Sequence, residues 1–266
     1  MTEGEVKLLT IGIPTFNRDE FLRETLSCVI RELPEDSLAQ VEILICDNGS
    51  RDQTRSICEG GIAHFPHLVR YIRHERNLGY DRNLDSIFSS SNAKYVLLLG
   101  DDDLPAPGAF EDIWRFCTRN QSDVRVAFSY HRLIDSRTGE KLTLKEDFFQ
   151  RPSEIQGDEF TFDSGIELIR KIRAPLNAGL TGTIFLRSAW LKVEREHFFD
   201  TNFLQLAVAY QVACQLPVHM FYRQLFVVRM NGEHQWPVNG ELYFGLLSSR
   251  QACPCPGSTQ RISCPC

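Results

Sequence analysis

Three consecutive carboxylates follow an apolar stretch in the first half of the chain. The segment reads KYVLLLGDDDLP, so Asp101, Asp102 and Asp103 come directly after residues typical of a buried strand. Three adjacent negative charges repel one another unless a cation is present. Mg²⁺ and Mn²⁺ prefer oxygen ligands and are commonly held by one or two carboxylates together with substrate phosphates. The triplet therefore predicts a divalent-metal site; the alternative is a solvated turn or a helix cap, the latter at Asp103.

Two other groups of polar residues also follow apolar runs. Residues 15–17 come after an expected strand at residues 8–13, and residues 47–50 come after an expected strand at residues 41–46. In an open parallel sheet, ligands bind outside the carboxyl ends of the strands. We therefore expect these two turns and the acidic run to meet in one crevice that holds a pyrophosphate and its cation.

Three segments, in sequence order, resemble glycosyltransferase family 2, whose members have the GT-A fold. They read IGIPTFNRDEFLRETLSCV, ILICDNGSRDQT and NLGYDRNLDSIFSSSNAKYVLLLGDDD, and the resemblance covers about residues 6–118, with a fainter echo after Leu180. It implies a nucleotide-diphosphate sugar as donor, a glycan or lipid-linked acceptor, and inversion at the transferred sugar. It also implies Mn²⁺ or Mg²⁺ as a cofactor that offsets the charge of the leaving diphosphate.

The resemblance implies roles for individual residues. Residues 14–16 match a turn whose backbone lies against the nucleotide base, and Asp47 matches a carboxylate that accepts a hydrogen bond from the base. Arg82 matches an arginine that approaches the donor, which suits a guanidinium because it pairs with phosphate oxygens in a fixed fork. Asn48 departs from the family pattern, which usually has Asp at this position. The residues implied to bind the donor are Pro14, Thr15, Phe16, Asn17, Asp47, Asn48, Asn77, Gly79, Arg82, Asn83 and Asp101.

The metal motif differs from the usual pattern of the family. Members usually have L-D-x-D-D here, and matching the flanking residues places Gly100 where the first Asp normally stands. The resemblance then makes Asp102 the principal metal ligand, supported by Asp101 or Asp103. A subgroup that includes sugar transferases of bacterial O-antigens is similar in having G-D-D-D.

The catalytic base is expected in the second half of the chain. Inversion by direct displacement needs a carboxylate that takes the proton of the acceptor hydroxyl, on the face opposite the leaving diphosphate. Asp200 lies nearest the implied position, with Glu194 and Glu196 behind it on an expected helix; the alternative for each is a solvated surface charge. Other polar residues that are candidates for ligands, bases or a loop over the donor are His197, His219, Arg229, Asn231, His234 and Trp236.

The elements that must position these residues alternate between strand and helix. This alternation predicts an α/β protein with a Rossmann-like, mostly parallel central sheet flanked by helices. The expected strands are residues 8–13, 41–46, 68–72, 95–99, 124–130 and 180–186. Helices are expected from Asn17, with Glu20 completing a capping box, and later at residues 188–196 and 203–216.

Beyond about residue 135 the alternation weakens. Residues 1–135 are therefore expected to form the nucleotide-sugar-binding half of one GT-A domain, and residues 136–250 a mixed, acceptor-binding half of the same domain. Residues 251–266 form a Cys/Pro tail that we expect to be irregular, because its two Cys-Pro-Cys pairs lack the spacing usual for paired zinc ligands. The cysteines outside the tail are expected to be free thiols.

Composition excludes several classes of protein. With 266 residues, a formal charge of −6 and a pI near 5.7, the chain lacks the excess of Lys and Arg that extended nucleic-acid binding needs. Its N-terminus has acidic residues where a signal peptide has basic ones, and its apolar stretches fall short of the roughly 20 residues that span a bilayer. We therefore expect a cytoplasmic protein, with peripheral contact at the inner face of a membrane left open, as is the oligomeric state.

Two other functions fit parts of the pattern. An inactive protein that binds sugar nucleotides is allowed by Gly100 and by the lack of a clear Glu-Asp pair in the second half. A nucleotidylyltransferase also uses an α/β half and a divalent metal. However, it needs a glycine-rich, basic loop after the first strand, where this chain has Pro-Thr-Phe-Asn-Arg. The leading hypothesis is the transfer of a hexose or deoxyhexose.

Overall fold

The computed structural model describes residues 6–119, 124–141, 151–172, 180–214 and 216–230. The strands are β1 Leu9–Thr15, β2 Val41–Asp47, β3 Val69–Arg73, β4 Tyr95–Leu98, β5 Leu104–Pro105, β6 Val126–Asp135, β7 Glu159–Phe162, β8 Thr183–Leu186 and β9 Val218–Met230. The helices are α1 Asp19–Glu32, α2 Thr54–His64, α3 Tyr80–Ser90, α4 Ala109–Thr118, α5 Gly165–Ile172, α6 Arg187–Trp190 and α7 Leu204–Ala213. Short 3₁₀ turns lie at Glu35–Ser37 and Glu196–Phe198.

The strands form one mixed sheet. Within the described residues it has nine strands in the order β3-β2-β1-β4-β8-β6-β9-β5, with β7 paired to β9. The four strands β3, β2, β1 and β4 run parallel, whereas β8 is antiparallel to both of its neighbours, β4 and β6. The predicted α/β fold, with a parallel first half and a mixed second half, is confirmed.

Helices cover both faces of the sheet. In β2, Ile43 and Ile45 point into an apolar layer that contains side chains of α1, α2 and α4. Leu44 and Cys46 point into the opposite layer, which contains side chains of α3, α6 and α7. Because successive residues of a strand face opposite sides, burial on both sides requires the unbroken apolar runs that the sequence shows.

Helix α3 packs directly against a glycine of the sheet. A Cβ atom at Gly12 of β1 would overlap the side chain of Ile87 in α3, so only glycine permits this packing. At its N-terminal end, α3 is tied to β2 because Asn83 Nδ2 donates to the carbonyl oxygen of Cys46 at 3.0 Å. The first turn of α3 is thereby fixed at the edge of the sheet where β1 and β2 end.

The predicted capping box at the start of α1 was wrong. The helix begins at Asp19, and Asn17 lies before it in a left-handed conformation, with φ of +53° and no side-chain capping bond. The polar groups of Asn17 have other partners: its amide N donates to Ser50 Oγ, and its Oδ1 accepts from Arg51 N, both at 2.9 Å. Asn17 therefore joins the turns after β1 and β2 instead of capping the helix.

Two helices of the second half are shorter than expected. The helix expected at residues 188–196 ends at Trp190, whose ring stacks on Phe88 of α3 with 3.7 Å between the ring centroids. Beyond it, Arg195 forms a two-pronged ion pair with Asp85 of α3, so the chain follows α3 instead of continuing the helix. The helix expected at residues 203–216 spans Leu204–Ala213.

Two further expectations concern the chain as a whole. None of the described helices combines the length and the apolar character needed to cross a bilayer. Four of the scattered cysteines, Cys28, Cys46, Cys58 and Cys117, are free thiols, as expected. The Cys/Pro tail lies outside the described residues.

Candidate active site

The three turns singled out from the sequence lie side by side at one edge of the sheet. Strand β1 pairs with β2 on one side and with β4 on the other, so the carboxyl ends of the three strands are neighbours. The turns also bond to one another and to α1. Asn48 N donates to the carbonyl oxygen of Thr15 at 2.9 Å, and Thr25 Oγ1 of α1 donates to the carbonyl oxygen of Asp101 at 2.9 Å. Phe16 is the exposed aromatic side chain of the first turn, with Pro14 and Thr15 buried behind it.

Asp47 is fully buried and organises the turn after β2. Its Oδ1 accepts from Ser50 N at 2.8 Å, and its Oδ2 accepts from the hydroxyl of Tyr71 at 2.6 Å. Arg73 lies 3.5 Å from the same Oδ2. Burial and the bond to Asp47 both raise the pKa of Tyr71, so its hydroxyl keeps the proton that it donates. The roles of Tyr71 and Arg73 were missed from the sequence, because nothing in the spacing marks them.

Asn48 holds residues 77–79 against the turn after β2. Its Nδ2 donates to Asn77 Oδ1 at 2.9 Å and to the carbonyl oxygen of Gly79 at 3.1 Å, while its Oδ1 accepts from Leu78 N at 2.8 Å. A carboxylate has no hydrogen to donate and could make only the last of these bonds. The departure from the usual Asp therefore has a local physical cause.

Arg82 and Asp200 form an ion pair, although we expected Arg82 to contact the donor and Asp200 to act as the catalytic base. Arg82 Nη1 donates to Asp200 Oδ1 at 2.5 Å, and its guanidinium lies 4.9 Å from the ring centre of Phe199. The side chain of Asp200 is 70% exposed, so it is open to an incoming molecule. An approach of Arg82 to the donor stays a prediction.

The acidic run is held from two sides. Arg18, from the turn after β1, forms a short ion pair with Asp102 and lies 3.5 Å from Asp101 Oδ1. Arg229, near the end of β9, donates its backbone N to Asp103 Oδ1 at 3.0 Å and its Nε to the carbonyl oxygen of Asp102. The repulsion within the run is thus partly offset by the charge of Arg18, which the sequence analysis did not foresee, and by the backbone N–H group of Arg229.

The three carboxylates differ in exposure. The side chain of Asp102 is 21% exposed, against 9% for Asp101, and Asp103 is buried. Burial, and next the charge of Asp102, raise the pKa of Asp101 and of Asp103 to about 7. The alternative that Asp103 caps the next helix is wrong, because α4 begins at Ala109 and its N-cap residue is Gly108.

The position of the Asp103 side chain leaves no room for a side chain at position 100. A Cβ atom at Gly100 would lie 2.7 Å from Asp103 Oδ2 and 3.2 Å from both Asp102 Oδ1 and Thr181 Oγ1. Gly100 N donates to Thr181 Oγ1 at 2.9 Å, and that hydroxyl donates to Asp103 Oδ2. The carboxylate of Asp103 therefore fills the space into which a side chain at position 100 would project.

The acidic run fits a divalent cation only in combination with phosphate oxygens. Among the residues that the structure describes, no group of three or more His, Cys, Asp or Glu side chains is arranged to hold a metal ion. Mg²⁺ and Mn²⁺ are often bound by one or two carboxylates, with substrate phosphates and water supplying the other ligands. Asp102, the partly exposed member at the shared edge, suits that role, with Asp103 behind it.

The remaining candidates are exposed around a 3₁₀ turn, buried in the core or outside the described residues. Glu194, Glu196 and His197 are exposed around the 3₁₀ turn at Glu196–Phe198. His219 is buried between aromatic rings and bonded to Thr161, and burial lowers its pKa to about 4, so it is a neutral structural residue. The candidates outside the described residues are Asn231, His234 and Trp236.

Comparison with known proteins shows the family to which this chain belongs. The sequence profile described as glycosyl transferase family 2 matches residues 10–174. The chain is 34% identical over 96 residues to abequosyltransferase RfbV of Salmonella typhimurium, covering 36% of this chain and 28% of RfbV. It is 30% identical over 124 residues to poly(ribitol-phosphate) β-N-acetylglucosaminyltransferase TarP of Staphylococcus aureus, covering 46% of this chain and 36% of TarP. The matches thus span about a third of the length of these relatives.

The fold is similar to that of a solved glycosyltransferase structure. S. aureus TarS residues 1–349, in complex with UDP-GlcNAc, superimposes with a TM-score of 0.64 over 90% of this chain and 64% of that chain, at 16% sequence identity. The same TarS fragment in complex with UDP gives a TM-score of 0.60 over 84% of this chain and 60% of that chain, at 14% identity. Since the family profile covers more than half of the sequence, the chain belongs to glycosyltransferase family 2, a family of sugar-transferring enzymes.

Proposed function

We propose that this chain transfers a hexose or deoxyhexose from a nucleotide-diphosphate sugar to a glycan or lipid-linked acceptor, with inversion and with Mn²⁺ or Mg²⁺. The observation that carries the proposal is the meeting of the turns after β1, β2 and β4 at one sheet edge, with the partly exposed carboxylate of Asp102 among them. The family membership and the fold shared with a UDP-GlcNAc-binding enzyme support it.

The donor would lie across the three turns. Phe16 offers an exposed aromatic face beside the turn after β2, which suits a nucleotide base. Asp47 remains the proposed acceptor from the base; because its carboxylate is fully buried, a bound base would have to displace one of its present partners, such as the hydroxyl of Tyr71. Arg18, beside Asp102, and Arg82, in the first turn of α3, carry guanidinium groups that can pair with phosphate oxygens.

Asp102, supported by Asp103, would hold the divalent cation at the diphosphate. When bound, the cation supplies Lewis-acid stabilisation of the leaving nucleoside diphosphate. The task of the chain is to keep the Asp102 carboxylate at the edge, and the contacts of Arg229 with Asp102 and Asp103 do so. On the acceptor side, Asp200 would take the proton of the attacking hydroxyl, since its carboxylate is exposed beside α3.

The proposed substrates favour a reaction in the cytoplasm. If the acceptor is lipid-linked, the reaction would take place at the inner face of a membrane. Nucleotide sugars are charged and water-soluble, whereas a lipid-linked acceptor brings its sugar to the membrane surface.

A donor screen tests the proposal. Purified protein is incubated with UDP-, GDP-, TDP- and CDP-sugars and Mn²⁺ or Mg²⁺, and the release of nucleoside diphosphate is measured with and without glycan acceptors. We expect release from at least one donor, and its loss in Asp102→Ala. Asp158→Ala, at an exposed aspartate near β7, is the control and should keep the wild-type rate. Full metal-dependent transfer by Asp102→Ala would overturn the assignment of Asp102.

A second function is favoured by one observation. Arg18 pairs with Asp102, so the carboxylate proposed to hold the catalytic cation already has a cationic partner within the protein. Calorimetry distinguishes an inactive sugar-nucleotide-binding protein from an enzyme. Binding of a nucleotide sugar, with neither transfer nor slow hydrolysis of the donor, would favour the binding protein.

A further inference from the structure

A buried carboxylate in the first turn of α3 binds a distant loop. Asp81 is 1% exposed, and its Oδ2 accepts from the backbone N of Thr201 and of Asn202, each at 2.9 Å. Its Oδ1 accepts from Leu204 N at 3.2 Å. Three backbone N–H groups, about 120 residues further along the chain, therefore converge on one side chain. Charge-assisted bonds of this kind are about twice as strong as neutral ones.

The loop depends on this carboxylate. Helix α7 starts at Leu204 with Phe203 as its N-cap residue, which supplies no side-chain capping bond. The first N–H groups of a helix lack acceptors within the helix. Asp81 supplies an acceptor from outside for one of these groups, Leu204 N. The loop also contains two non-glycine residues in the left-handed region, Asp200 at φ of +68° and Asn202 at +63°. Such conformations persist only where the surroundings enforce them.

The same helix turn also fixes the side chain of Asp200. Arg82, the residue after Asp81, donates to Asp200 Oδ1 at 2.5 Å and packs on Phe199. Asn83, the next residue, anchors the turn to β2 through the carbonyl oxygen of Cys46. Asp81 thus binds the backbone of the loop around Asp200, and Arg82 binds the Asp200 carboxylate. Asn83 ties both to the sheet edge at which β1 and β2 end.

We propose that Asp81 is a positioning residue for Asp200: it fixes the backbone around this carboxylate, so that Arg82 and the sheet edge define where the carboxylate lies. The proposal rests on the proposed function, in which Asp200 takes the acceptor proton. Asp81 touches no substrate in this scheme and acts only through the loop at residues 199–204. A general base must lie within hydrogen-bond reach of the proton that it removes, so a small displacement of the loop lowers the rate.

A double-mutant cycle tests whether Asp81 acts through Asp200. Rates of transfer are measured for wild type, Asp81→Asn, Asp200→Asn and the double variant, with the best donor of the screen. We expect kcat to fall by about 10- to 100-fold in Asp81→Asn and by at least about 100-fold in Asp200→Asn. The double variant should match Asp200→Asn within about twofold, because the positioning of a missing base has no value. Donor affinity should be unchanged in Asp81→Asn.

The matched control is Asp85→Asn. Asp85 is also on α3, and it also accepts several hydrogen bonds from the second half, from Trp190 Nε1 and Arg195. Its loss should lower the stability of the fold without lowering kcat by more than about twofold. An equal fall of kcat in Asp85→Asn and Asp81→Asn, or a double variant in which the two losses multiply, would overturn the proposal.

Amide hydrogen exchange separates this inference from the proposed function, since it needs no substrate. The amides of Thr201, Asn202 and Leu204 should exchange at least about 10-fold faster in Asp81→Asn, and at the wild-type rate in Asp85→Asn. Unchanged exchange at these amides would refute the role of Asp81 alone. Absence of any transfer by the wild type, with exchange as expected, would refute the proposed function and the catalytic part of this inference, but not the hold of Asp81 on the loop.

Discussion

Asn48→Asp tests whether this chain needs an amide where relatives in the family usually have a carboxylate. The change keeps the shape of the side chain and the bond from Leu78 N, but removes the two bonds that Nδ2 donates to Asn77 Oδ1 and to the carbonyl oxygen of Gly79. It also brings a negative charge to about the same distance from these two acceptors. Both effects oppose the folded state.

The expected loss of stability is at least about 2 kcal/mol. Two net hydrogen bonds of about 1 kcal/mol each are removed. The carbonyl oxygen of Gly79 keeps a bond from Asn83 N at 3.2 Å, and the exposed Asn77 side chain can be hydrated, so neither acceptor adds a large desolvation penalty. The cost of burying the new carboxylate with one remaining donor adds to this value.

Urea unfolding, followed by circular dichroism, measures the effect. With a dependence of about 2 kcal/mol per molar urea, the midpoint should fall by at least about 1 M. Asn92→Asp is the control, because it adds the same charge at an exposed position between α3 and β4. If Asn48→Asp and Asn92→Asp unfold at the same urea concentration, the three bonds of Asn48 do not hold the loop as described.

Two further predictions concern the acidic run. Gly100→Ala should lower the free energy of unfolding by about 1 to 3 kcal/mol, because the alanine Cβ would lie 2.7 Å from Asp103 Oδ2. Thermal unfolding measures this loss, and an unchanged midpoint would contradict it. Burial, and next the charge of Asp102, raise the pKa of Asp101 to about 7 in the folded protein, compared with about 4 in the unfolded chain. The protonated side chain therefore contributes stability at a pH below about 4, and this contribution is lost as the pH rises through 7. Asp101→Asn should therefore gain stability relative to wild type between pH 5 and pH 8, and a difference that is constant with pH would refute this.

The sheet and its edge could be predicted because local signals there agree with the fold. The runs at residues 9–15, 41–47 and 95–98 are buried on both faces, so apolar content alone marks them as strands. Polar residues directly after such strands must lie at the carboxyl edge of a parallel sheet. The co-location of the turns after Ile13, Cys46 and Gly100 follows from those two facts.

The contacts between distant residues could not be predicted in this way. Asn17 has the sequence context of a helix cap, yet the turn after β2 provides partners that compete for its polar groups. The pairing of Arg18 with Asp102, and of Asp81 with the loop before α7, joins residues more than 80 positions apart. Periodicity and capping rules describe neighbours in sequence and carry no information about such pairs.

The helix expected at residues 188–196 shows the same limit. Its composition suits a helix, but Trp190 and Arg195 both bind Asp85 of α3, which draws the chain out of helical geometry after Trp190. Tertiary contacts therefore override local preference here. Glu194 and Glu196, expected on one helix face behind Asp200, are instead exposed on a loop and a 3₁₀ turn.

The most direct test of the central claim is the binding of nucleoside diphosphates at the shared edge, measured by calorimetry with and without Mn²⁺. We predict that wild type binds at least one of UDP, GDP, TDP and CDP, that Mn²⁺ tightens this binding by at least about 10-fold, and that Asp102→Ala loses the effect of Mn²⁺. Failure of all four nucleotides to bind, or an equal effect of Mn²⁺ on wild type and Asp102→Ala, would contradict the account.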